Sequence, residues 1–143
     1  MTYDLDRFVA AQDAGGTYDH AVAELRAGRK TSHWMWFVFP QIAGLGRSGM
    51  AQRYAIADLD EARAYLAHPV LGPRLETAAE SVLAHRDVAA VQILGGIDAL
   101  KLRSSMTLFA YAQPEQTVFR MVLDQFFDGE EDPATLTRLQ LTR

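Results

Sequence analysis

The string Ser32-His33-Trp34-Met35-Trp36-Phe37-Val38-Phe39-Pro40-Gln41 holds both tryptophans of the chain. An imidazole beside two indoles is a setting that moves histidine's proton affinity toward a catalytic range, which makes His33 the first candidate for proton transfer. Trp34, Trp36 and Phe39 could wall a pocket, with Gln41 supplying an amide. The Gly44-Leu45-Gly46 turn that follows lets backbone approach a ligand closely, and Arg47 offers a planar donor fork for a carboxylate or phosphate. The competing reading is structural. Six consecutive apolar residues, Trp34 to Phe39, leave no polar face, so they must be enclosed on most sides, and His33 and Gln41 then need hydrogen-bond partners. The glycines are too few for a dinucleotide fingerprint, and the Lys-Ser/Thr ending of a phosphate loop is absent.

A second candidate segment is Asp98-Ala99-Leu100-Lys101-Leu102-Arg103-Ser104-Ser105. On a helix Asp98, Lys101 and Ser105 share a ridge, with Ser104 beside it. Lys101 is one of only two lysines, and its proximity to two hydroxyls suggests a base or a charge partner. The order is the reverse of a serine–lysine hydrolase, so the simpler expectation is that Asp98 caps the helix and pairs with Lys101. Ser104 and Ser105 would then bond the carbonyls one turn back. His85-Arg86-Asp87 imitates a kinase catalytic loop without its glycine loop or magnesium motif. The histidines at 20, 33, 68 and 85 show no metal-ligand spacing, so no metal or cofactor is expected. His68, before Pro69, reads as a corner residue. Arg7, Tyr18 and Tyr54 could join a pocket, but read more simply as surface or core-edge residues.

The elements that must carry these residues are helical. Apolar residues recur at offsets of three, four and seven from Asp4 to Gly28, with a break at Gly15-Gly16 and Thr17 placed to cap the second piece. Asp60 can cap a helix over 61–67, and the Pro69 to Pro73 segment leads into one ending near His85. Asp87 can cap a short helix through Leu94, although Val88 to Leu94 also suits a buried strand. Asp98 to about Ala112, Glu115 to Phe127, and a last helix opened by Asp132-Pro133 complete the pattern. Sustained two-residue alternation is missing, so the expectation is an all-α fold: one compact domain over 1–143 with about seven or eight short helices.

Composition limits the chemistry further. A chain of 143 residues with 49% hydrophobic content can bury a core without staples, and the absence of cysteine excludes thiol and Cys-metal chemistry. Twelve arginines and two lysines never run beyond a pair, and the net charge is -4, so nucleic acid is not an expected partner. The acidic Asp128 to Asp132 stretch lacks calcium-loop spacing and reads as a solvated loop. No run reaches the roughly 20 apolar residues of a membrane span, and the charged amino terminus lacks a signal peptide's apolar region; a cytoplasmic location is expected.

With these residues in view, the chain resembles the bacterial family called domain of unknown function 1810. The resemblance runs from Asp4-Leu5-Asp6-Arg7-Phe8 through the Ser32 to Gly46 block, Arg53-Tyr54-Ala55-Ile56 and His68-Pro69-Val70-Leu71-Gly72 to Asp98–Phe109. It implies a helical fold and brings no activity with it. Two functions are therefore expected as alternatives. One is a binder or processor of a small ligand, nucleotide-like or ADP-ribose-like, with His33, Asp98 and Lys101 catalytic and Trp34, Trp36, Phe39, Gln41, Arg47, Ser104 and Ser105 in contact. The other is a noncatalytic protein whose Trp-rich segment is core or oligomer interface.

Overall fold

The computed structural model describes residues 3–141, and within them every regular element is helical. Helices α1 (Asp6–Asp13) and α2 (Thr17–Ala27) are joined by a 3-10 turn at Ala14–Gly16. The aromatic string forms α3 (Met35–Val38), and α4 (Gly49–Arg53) follows the glycine turn. Then come α5 (Leu59–Ala67), α6 (Leu71–Leu83), α7 (Ala90–Leu94), α8 (Gly96–Ala112), α9 (Val118–Phe127) and α10 (Pro133–Arg138). The count exceeds seven or eight because α3 and α4 are single turns too short to show a period. Of the Val88 to Leu94 run, Ala90–Leu94 is helix and none of it is strand; the only extended pairing among the described residues is an isolated parallel bridge between Ile42 and Ile56.

Helix starts lie close to their expected places, but several caps differ. Asp58 rather than Asp60 caps α5, accepting the Glu61 N–H at 2.8 Å. At α7 the Gln92 side chain accepts the Ala89 N–H at 3.0 Å, and Asp87 takes no part. The α2 cap is Gly16, while the Thr17 hydroxyl donates to the Ala14 carbonyl. Helix α8 begins at Gly96, so Asp98 sits inside its first turn rather than capping it. Asp132 caps α10, with Pro133 at the first helical position as expected. His68 is a corner residue: its Nδ1 accepts from Val70 and Leu71 where α5 turns into α6. The corner is tight enough that a Cβ at Gly72 would fall 2.1 Å from the Leu66 carbonyl oxygen.

The longest helix, α8, is central, with α5, α7, α9 and α10 packed on it, and from Leu102 to Ala112 it is buried on nearly every side. An all-round apolar helix belongs inside a bundle. Aromatic rings link the layers: Phe37 meets Tyr54 at 5.3 Å, Tyr54 meets Phe8 at 5.8 Å, Phe8 meets Tyr65 at 5.1 Å, and Tyr65 meets Phe109 at 5.4 Å. Such pairs contribute about 0.5–1.5 kcal/mol each beyond area burial. Ser105 apart, the buried side-chain polar groups among the described residues are matched. Gln12, buried on α1, donates to the Phe37 carbonyl at 2.8 Å and to the Tyr65 hydroxyl at 3.2 Å, and accepts from Arg74 at 3.2 Å. Arg7 reaches the carbonyls of Arg53 and Ala55 and the buried carboxylate of Glu61. Arg7 and Tyr54 therefore belong to the scaffold, as does Tyr18, whose hydroxyl donates to the Arg74 carbonyl.

Candidate functional site

The aromatic string divides by depth. Trp34, Phe37, Val38 and Phe39 are in the core, whereas Trp36 keeps part of its surface in water. Trp34 and Phe39 are fully buried and close no cavity wall open to solvent. This is the enclosure that six apolar residues in a row require.

What fixes the string is Glu24, on the last turn of α2. Gly28 ends that helix with φ 77°, and the returning chain folds over the carboxylate. Glu24 accepts from the Thr31 N–H at 2.8 Å, the Ser32 N–H at 3.0 Å, the Ser32 hydroxyl, and the Trp34 indole N–H at 3.0 Å. Burial alone would raise the carboxyl's proton affinity; these hydrogen bonds outweigh it and hold the group at about 2.

The same loop carries Lys30, whose N–H donates to the Ile93 carbonyl at 2.7 Å and ties the loop to α7. Its ammonium lies 2.9 Å from Asp98 and 5.1 Å from the Trp34 ring centroid. Lys101, one turn beyond Asp98, lies 3.7 Å from the same carboxylate and 5.2 Å from the Trp36 centroid. Both lysines of the chain thus converge on one aspartate, and each stacks on one of its two tryptophans. The Lys30 side chain is 9% exposed, Asp98 19% and Lys101 23%. Two ammonium groups against one carboxylate leave a net positive charge in a partly dry setting, where electrostatic attraction is stronger than at an open surface. Cation–π contacts of this kind contribute about 0.5–2 kcal/mol.

Beside the cluster an open cleft of about 350 Å³ is lined by Leu94, Gly95, Gly96, Ile97 and Asp98. Its floor is the start of α8, where no side chain caps the first N–H groups. The lining combines aliphatic surface, glycine backbone and the Asp98 carboxylate in a shallow depression that is nearer a flat surface than an enclosed cavity.

The expected site residues are thus only partly gathered. Asp98, Lys101 and Trp36 belong to the cluster, and Trp34 supports it from the core. The His33 side chain is exposed, and among the described residues nothing hydrogen-bonds its ring. Gln41 is half-buried, its backbone carbonyl accepts from the Ile56 N–H at 2.8 Å, and Arg47 is exposed near α4. Ser104 bonds the Leu100 carbonyl, as expected, and also Asp132 at 3.0 Å, which makes it part of the α8–α10 joint. Ser105 departs from expectation: it is fully buried, and its hydroxyl has no partner among the described residues. Nor is Asp128 to Asp132 simply solvated, since Arg103 holds the carbonyls of Glu130 and Glu131 at 2.9 and 2.7 Å.

Sequence reasoning missed Glu24 and Lys30. Glu24 looks like an ordinary exposed helix residue, and its role arises from the chain's return ten positions later. Lys30 carried one usable signal, namely that it is the other lysine of a chain otherwise confined to arginine.

The model of a family described as "Protein of unknown function (DUF1810)" matches residues 2–139. The crystal structure of the conserved hypothetical protein Rv1873 from Mycobacterium tuberculosis is similar, with a TM-score of 0.94 and 48% sequence identity. The match covers 98% of this chain and 99% of that one. No curated protein matches the chain significantly.

Proposed function

The chain belongs to the DUF1810 family, and we propose that it binds a small anionic ligand at the cleft beside Asp98, with Lys30, Lys101 and Trp36 as the recognition cluster. The observation that carries this reading is the convergence of both lysines on Asp98, each stacked on a tryptophan, at the edge of an open cleft. The surplus ammonium charge suits a phosphate or carboxylate. The part of the Trp36 ring that stays in water suits a planar ring. A nucleotide or an ADP-ribose-like molecule combines both features.

Binding is favoured over catalysis by the placement of the candidate catalytic groups. Asp98 is committed to two ammonium groups, and His33 is held by no hydrogen bond that would aim its ring into the cleft. A proton-transfer pair needs the two groups within hydrogen-bond reach of one substrate atom.

A thermal-shift screen against nucleotides, ADP-ribose and sugar phosphates tests the reading. A ligand at 100 times its dissociation constant adds about 2.7 kcal/mol of stability. The expected result is a shift with at least one anionic compound that K101A loses; no shift from any of them rejects the proposal.

A further inference from the structure

Asp98 is where this chain departs from its own habit in choosing cations. The other five ion pairs among the described residues are all made by arginine. At Asp98 the cations are lysines, and both lysines of the chain are used there. Arginine is the better residue for a partly buried ion pair, for stacking on an aromatic ring and for holding an anion. What lysine has and arginine lacks is an amine that can lose its proton and form a covalent bond. A site that needed positive charge alone would be served by the residue used everywhere else.

We propose that Lys101 is a carbonyl-reactive amine: it captures, as a reversible imine, a ligand that carries both an anionic group and a free aldehyde, such as a ribose phosphate or ADP-ribose whose C1 is unsubstituted. This rests on the reading of the cleft as an anion site and adds a covalent step to it. Lys101 rather than Lys30 is the nucleophile. Lys30 is 9% exposed and lies 2.9 Å from Asp98, whereas Lys101 is 23% exposed and 3.7 Å away. Lys101 is also four residues on from Ile97, which lines the cleft, and residues four apart are neighbours on a helix surface. The amine therefore stands at the rim, within reach of a ligand's free end. Because Lys30 has the closer hold on the carboxylate, Asp98 is not tied to Lys101 as its sole counter-ion. Trp36, whose ring centroid is 5.2 Å from the Lys101 ammonium, covers one side of that nitrogen and keeps water from an imine formed there.

The step balances without any co-reactant. Once the Lys101 ammonium has given one proton to solvent, its nitrogen adds to the aldehyde carbon, the C=O π electrons go to oxygen, and one N–H proton passes to that oxygen by way of the Asp98 carboxylate. As the C–O bond breaks, the second N–H proton follows the same route, so the oxygen leaves as water and an imine remains. One amine and one aldehyde give one imine and one water. A nucleotide whose C1 bears a base has no aldehyde to offer and binds without this step.

The test incubates the full chain with ADP-ribose and sodium cyanoborohydride, which reduces an imine to a stable amine, and locates the added mass by peptide mass spectrometry. ADP and a urea-unfolded sample are the controls. The expected result is an adduct on Lys101 that forms roughly tenfold or more faster than on Lys30, or than on the same lysine of the unfolded chain, because the cleft holds the aldehyde beside the amine. ADP should slow the reaction by competition and leave no adduct of its own. K30M should slow it severalfold, since Lys101 then has Asp98 to itself, and K30R should restore the rate. An adduct that forms as fast in the unfolded chain, that falls mainly on Lys30, or that K30M leaves at the wild-type rate would overturn the proposal. A melting-temperature shift with ADP but no adduct with ADP-ribose rejects the covalent step and leaves the anion site standing; neither shift nor adduct rejects both.

Discussion

The indole N–H of Trp34 donates to the carboxylate of Glu24 at 3.0 Å, and through that bond the end of α2 fixes the depth of the whole aromatic string. Trp34 is the platform on which Lys30 lies, and Lys30 is the closer of the two cations on Asp98. The cluster at the cleft is therefore set by a carboxylate that does not line it.

Replacing Glu24 should accordingly weaken the fold and give that loss a characteristic pH dependence. E24Q is expected to cost about 2 kcal/mol, since the amide cannot accept all four donors and removes a charge-assisted set. The native carboxyl is held at about 2 against an ordinary value of 4.5. Its contribution is thus fully present above pH 4.5 and is lost as pH falls through the interval down to about 2. Urea unfolding followed by tryptophan fluorescence should show a constant gap between wild type and E24Q above pH 5, narrowing below pH 4.5. A gap unchanged down to pH 2.5 would contradict the assignment.

Arg7 should not tolerate lysine. Its guanidinium serves two carbonyls on the chain around α4 and the Glu61 carboxylate, which is 3% exposed. A lysine ammonium cannot span that fork, so R7K should destabilise by about 1–3 kcal/mol. R7A should cost more, because it leaves a buried carboxylate without its cation. Equal denaturant midpoints for wild type and R7K would show that the fork is dispensable.

A methyl group at Gly72 is predicted to be among the costliest single-atom additions. The Leu66 carbonyl sits 2.1 Å from where that Cβ would lie, and backbone rather than a flexible side chain must move. G72A should lose about 1–3 kcal/mol and a corresponding several degrees of melting temperature. A melting temperature within a degree of wild type would mean that the α5–α6 corner is looser than described.

The fold was readable in the sequence wherever a helix was long enough to repeat its period. The break at Gly15-Gly16, the helix that follows the Pro69 to Pro73 segment and the Asp132-Pro133 start all followed from local spacing. Caps were read less well, because Asp58 and Asp60 are equally good candidates until the path into α5 is known. The candidate site was legible in part. The ridge of Asp98 and Lys101 is a local helical feature and was found, and the run from Trp34 to Phe39 announced its own burial. What could not be read was which ring stays wet and which partners arrive from elsewhere. Trp34 and Trp36 are indistinguishable by type, and only the bond to Glu24 and the stacking of Lys101 separate their roles. Lys30 reaches Asp98 across 68 positions of sequence, a separation that no local pattern encodes.

The central claim, that the lysine–tryptophan–aspartate cluster and its cleft receive an anionic ligand, is tested most directly by titrating ¹⁵N-labelled protein with ADP-ribose, a nucleoside diphosphate and a sugar phosphate while recording amide and indole resonances. The account predicts saturable shifts confined to Gly95, Gly96, Ile97 and Lys101 and to the Trp36 indole, with the Trp34 indole nearly still and the response lost in K101A. Unmoved resonances at millimolar concentrations of all three compounds, or shifts concentrated on a different face, would contradict it.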